Sequence, residues 1–145
     1  MSLTPDEQRT LAKVAGLMIP ASARHRVPGA DDPAIQADIV KSLGRDTADM
    51  RTALARLNAL VGGGFADRPP AAQEAAAAAF RAEGGTNLAV LTRCILLCYY
   101  RDDRVMISLG MEPRPPFPKG HVLEQGDWSL LDPVRKRPKM WRDAS

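Results

Sequence analysis

The sequence predicts an all-α fold: a small bundle of about five to six helices around a central apolar helix, followed by an extended Pro-rich C-terminal arm. Three observations lead to it. Alanine, leucine, arginine and other helix formers dominate the 145 residues, aromatic residues make up only 5%, and β-branched runs are short. Apolar residues recur at helical spacing as far as Met111. Capping side chains, prolines and glycines interrupt that pattern at intervals of one short helix. A hydrophobic content of 45% is enough for one core at this length, so the predicted organisation is a helical bundle over 1–111 and a partner-wrapping arm over 112–145.

Thr4-Pro5-Asp6-Glu7 opens the first helix with a capping hydroxyl, a proline at the first helical position and a glutamate able to reach back to the cap. Leu11, Val14, Ala15 and Met18 form its apolar stripe, which ends near Ile19-Pro20. Residues 21–33 read as loop. Asp32-Pro33 caps a second helix carrying Ile35, Ile39, Val40 and Leu43; Gly44 ends it, and Asp46 or Thr47 begins a third with Met50, Leu54, Leu57 and Val61 on one face. The pattern fits either two helices here or one bent helix.

Gly62-Gly63-Gly64 stops that segment. A phosphate-cradling loop would need a preceding strand and a following Lys-Ser/Thr, and neither is present. Phe65 reopens the apolar pattern, and Pro69-Pro70 leads into an alanine-rich helix over about 71–82. Thr86 or Asn87 then caps a helix running through Leu88, Val90, Leu91, Cys94, Ile95, Leu96, Leu97, Cys98 and Tyr99, with Arg93 its only charge. A helix apolar nearly all round belongs at the centre of a bundle. A short helix over about 103–109 follows, stopped by Gly110.

Beyond Met111 the character changes. The 34 residues from Glu112 to Ser145 hold six of the twelve prolines, both tryptophans and seven of the twenty Lys and Arg residues. Those prolines forbid a long helix, so an extended arm is expected.

The chemistry-bearing residues are sparse. A net charge of +3 with interspersed acids and bases is no nucleic-acid footprint by itself. The longest apolar stretch, Cys94 to Tyr100, is far shorter than the roughly 20 residues that span a bilayer. No signal-peptide or twin-arginine pattern follows Met1, which gives a cytoplasmic expectation. Cys94 and Cys98 share a helix face but lack the CxxC spacing of a redox or zinc site, and read as small buried apolar residues. His25, in a loop, and His121, in the arm, sit in no motif. Asp102 and Asp103, beside Arg101 and Arg104, suit capping and local ion pairing between two helices better than acid/base work.

Three segments together resemble the gluconate 2-dehydrogenase subunit 3 family, the small subunits of large FAD-dependent oxidoreductases of the glucose-methanol-choline type. They are the Leu3-Thr4-Pro5-Asp6-Glu7 helix ending in Met18-Ile19-Pro20, the Phe65 segment with its following helix, and Tyr99-Tyr100-Arg101-Asp102-Asp103-Arg104-Val105 leading to Leu109-Gly110-Met111. The resemblance covers about residues 3–111. The residues themselves offer no catalytic, cofactor or metal site; the resemblance implies a helical accessory subunit that holds no flavin, stays bound to a large flavoprotein catalytic subunit and assists its folding, stability or export. FAD is then expected on that partner. Many members carry a twin-arginine leader that this sequence lacks, which leaves a stabilising role for a cytoplasmic flavoenzyme.

The arm is the expected grip on the partner. Trp128 and Trp141 would be anchors, supported by Phe117, Leu130 and Leu131, because aromatic residues outside a periodic core carry interface energy. His121, Arg135, Arg137 and Arg142 complete the partner-binding set. The arm could instead fold back over its own bundle. From a different functional class, the alternative is a small helical nucleic-acid-binding or regulatory protein using the basic run from Arg135 to Arg142, which holds five bases and no acid.

Overall fold

The computed structural model describes residues 3–113 and 124–142. The chain divides into two units, Met1–Pro113 and Arg114–Ser145. The first is all-helical among the described residues, with no named strand, as the composition predicts.

Helix α1, Pro5–Met18, starts on a complete capping box: Glu7 N–H donates to Thr4 Oγ1 at 3.3 Å and Thr4 N–H to Glu7 Oε2 at 2.7 Å. After a loop, Asp32 caps α2, Pro33–Ser42, by accepting the Ala34 N–H at 3.0 Å. A single 3-10 turn, Gly44–Asp46, separates α2 from α3, Thr47–Leu60, so these are two helices. The glycine run then reverses the chain: Gly62, Gly63 and Gly64 all have positive φ, a conformation that a Cβ makes costly.

Phe65, fully buried, opens a second 3-10 turn ending at Asp67. Polar side chains hold it from both sides. Asn58 Oδ1 accepts the Phe65 N–H at 2.8 Å, and the buried Gln73 amide donates to the carbonyls of Phe65 and Ala66. Helix α4, Pro70–Glu83, is followed after one residue by α5, Gly85–Tyr100. The start of α5 differs from the expected Thr86 or Asn87 cap: Gly84 and Gly85 both take positive φ, and the corner is made by backbone freedom instead of a capping side chain. Asp102 caps the short α6, Asp103–Ser108.

The core gathers residues spaced three and four apart: Leu11, Val14 and Ala15 of α1, Ile35 and Ile39 of α2, Met50, Leu54 and Leu57 of α3, Ala76 and Phe80 of α4, and Leu91, Ile95 and Cys98 of α5. The helix on which α1, α4 and α5 all pack is α3. Helix α5 packs against α3, α2 and α6 and buries Val90, Leu91, Cys94, Ile95, Cys98 and Tyr99. The small all-α bundle is the one the sequence predicts, with one face of α5, carrying Leu97 and Tyr100, left exposed. An apolar sequence all round sets no limit on how many neighbours reach a helix.

In the second unit, the described residues form a 3-10 turn, Trp128–Leu131, and a one-turn helix α7, Asp132–Arg135. This part is locally helical where an extended chain was expected. Asp127 accepts from the Ser129 N–H at 3.0 Å and the Ser129 hydroxyl at 2.6 Å, and Pro133 sits in the first helical turn, where its missing N–H costs nothing.

Candidate functional site

Every described residue from Glu124 to Arg142 is exposed. That includes Trp128 at 58% and Trp141 at 70%, together with Leu130, Leu131, Val134 and Met140. Of the expected partner-binding residues, Trp128, Leu130 and Leu131 fall on the capped 3-10 turn. Arg135 ends α7 and pairs with Asp132 at 3.3 Å. Arg137 is exposed beyond α7, as are Trp141 and Arg142. The Lys139 ammonium stands over the Trp141 ring, 5.4 Å from its centroid. Phe117 and His121 lie outside the described residues. The caps and the cation–π contact order this segment locally, and none of them removes its apolar side chains from water.

The first unit carries an apolar surface that the sequence reading missed. The outer face of α5 exposes Leu97 at 57% and Tyr100 at 53%, with Ala89 exposed and Leu88 and Leu96 half-buried beside them. These residues line a shallow groove of about 840 Å³. Leu88 and Thr92 also edge a second groove of about 690 Å³ between α1, α4 and α5, floored by Val14, Leu17, Phe80 and Leu91. The two grooves meet at Leu88 and Thr92. Their signal was present in the sequence as the unbroken apolarity of α5, which complete burial and an uncovered face would explain equally well.

Beyond these surfaces lies a polar cluster where α5 meets α6. The Arg104 guanidinium bonds both N-cap carboxylates, Asp32 of α2 at 2.8 and 3.0 Å and Asp102 of α6 at 2.9 Å. Its neighbour Arg101 forks onto Asp38 at 2.6 and 2.7 Å and also donates to Ser42. Hydrogen bonds from these arginines hold the carboxyls of Asp32, Asp102 and Asp38 below the usual carboxylate range. Asp102 therefore works as cap and ion-pair partner, in keeping with its sequence position.

Cys94 and Cys98 are buried and free, and burial pushes both thiols up, away from the reactive thiolate. His25 is exposed in the loop between α1 and α2. Among the described residues, no group of three or more His, Cys, Asp or Glu side chains could hold a metal ion, and no helix is long and apolar enough to cross a membrane. Comparisons with protein-family models, curated proteins and solved structures gave no match.

Proposed function

We propose that this chain is a non-catalytic subunit that binds a larger protein through its C-terminal arm. The observation that carries the proposal is the exposure of the whole described arm, Glu124–Arg142, although it contains two tryptophans and four large aliphatic or thioether side chains. Aromatic and arginine side chains brought together on a locally ordered turn are the composition of an interface core. The apolar strip of α5 offers the partner a second area on the first unit.

The particular partner follows from the three-segment resemblance: the large FAD-bearing catalytic subunit of a glucose-methanol-choline oxidoreductase, in a cytoplasmic hetero-oligomer. The small subunit stabilises that chain or assists its folding, and the flavin belongs to the partner. Purification from the native host without disrupting complexes, followed by an absorption spectrum, tests this. A yellow complex with a much larger chain is expected, and truncation after Met111 should abolish copurification. A colourless single chain at physiological concentration would refute the subunit reading. Binding to DNA or RNA that weakens steeply with salt would favour the nucleic-acid alternative.

A further inference from the structure

Most arginines of the first unit are spoken for. Arg9 pairs with Asp67, Arg51 with Glu7, Arg56 with Glu83, Arg93 with Asp46, and Arg101 and Arg104 with the carboxylates described above. Against that background the tripeptide Arg24-His25-Arg26 stands out. Its three exposed side chains make no hydrogen bond or ion pair with any described residue.

The tip that carries them is held tightly. Ser22 and Val27 form an antiparallel bridge, exchanging backbone hydrogen bonds of 3.0 and 3.1 Å. Inside it, Ser22 Oγ accepts the His25 N–H at 3.3 Å, and the Arg26 N–H donates to the Ala23 carbonyl at 3.2 Å. Behind it, the Tyr99 hydroxyl donates to the Pro28 carbonyl at 3.2 Å and the Ala30 N–H to Ile19 at 2.9 Å. Arg26 has φ of +55°, the only positive φ of a non-glycine among the described residues. A side chain in the left-handed region is a strained choice where glycine would fit freely. The tip thus keeps an arginine at a position the backbone would give to glycine.

The three bases line an open pocket of about 550 Å³ whose other wall is Arg104, Ile107 and Ser108 of α6. No acid lines it. Arg104 is neutralised by its two aspartates and Ser108 Oγ donates to the Val105 carbonyl, so the uncompensated donors are those of Arg24, His25 and Arg26. Guanidinium forks match tetrahedral oxyanions with paired, charge-assisted hydrogen bonds.

We propose that this pocket binds the phosphate group of a small soluble molecule, with Arg24 and Arg26 as the charged clamp, His25 as a further donor and Ile107 as an apolar wall for the remainder of the ligand. The proposal is independent of the partner reading. The test is titration of the full chain with inorganic phosphate and with glycerol 3-phosphate at constant ionic strength, followed by amide NMR. Shifts should concentrate on residues 22–27 and 107–108. Arg24→Gln and Arg26→Gly together should weaken binding about tenfold or more, whereas Arg45→Gln, on an exposed arginine of another turn, should leave it unchanged. Arg26→Gly also relieves the strained backbone, so this variant should melt no lower than the wild type, which separates loss of binding from loss of fold. Equal weakening by Arg45→Gln would reduce the effect to surface charge and overturn the site. Tighter binding of an acidic peptide to the same residues would overturn the phosphate assignment, and binding confined to phosphatidylglycerol vesicles would overturn the soluble ligand.

Discussion

The two units solve the problem of apolar surface in opposite ways. In the first, Phe65, Leu54, Ile95 and their neighbours are fully buried, and even the polar Gln73 is buried with its amide satisfied. In the second, the described residues hold both tryptophans and bury nothing. A capped 3-10 turn costs little to form, because the Asp127 side chain supplies its cap. It cannot supply stability of its own, since the hydrophobic term comes from area removed from water. The contrast teaches that one chain divides its hydrophobic residues between folding and recognition.

The strongest way to break this contrast is a charge in each unit. Ile95→Asp should unfold the first unit outright, because an unpaired carboxylate in that core costs several kcal/mol; Leu130→Asp should leave the thermal melt, followed by circular dichroism, where it was. Phe65→Ala comes next, at about 3–5 kcal/mol in urea unfolding, since it removes a fully buried ring from the core while leaving the backbone bonds to Asn58 and Gln73 in place.

Acid should weaken the first unit. The carboxyls of Asp32, Asp38 and Asp102 titrate lower in the folded chain than in the unfolded one. Their contribution is therefore present above the ordinary carboxylate range and lost as pH falls below about 4 through the folded values. Arg104→Ala should lower stability by about 1 kcal/mol at neutral pH, a modest figure because the pair is partly exposed, and should flatten the acid limb of a melting-temperature profile. If the variant kept the wild-type acid limb, the double cap tie would not be the cause. Gly64→Ala should cost about 1 kcal/mol through its φ of +62°. The smallest effect on folding belongs to Trp128→Ala and Trp141→Ala, within about 0.5 kcal/mol, yet each should weaken partner binding by about 2 kcal/mol in a pull-down titration.

Much of the architecture was legible in the residues themselves. The Thr4 and Asp32 caps, the glycine stop at 62–64 and the Pro70 start are short-range physics, in which a side chain or a φ preference acts on its own few neighbours. Helical periodicity likewise picks out Leu11, Ile39, Leu54 and Leu91 as core without knowledge of what they meet. The change of composition after Met111 marks the arm for the same reason.

What only the tertiary structure decided is which apolar surface meets another. The sequence of α5 reads the same whether one face or two are covered, and only the placement of α2, α3 and α6 against it leaves Leu97 and Tyr100 in water. The same holds for charge. Arg104 finds Asp32 and Arg101 finds Asp38 across more than sixty residues of chain, while Arg24 and Arg26, on a strained tip beside α6, have no partner among the described residues. Hydrophobic burial and ion pairing depend on distances in space, and no local rule of sequence carries a distance between residues that the fold alone brings together.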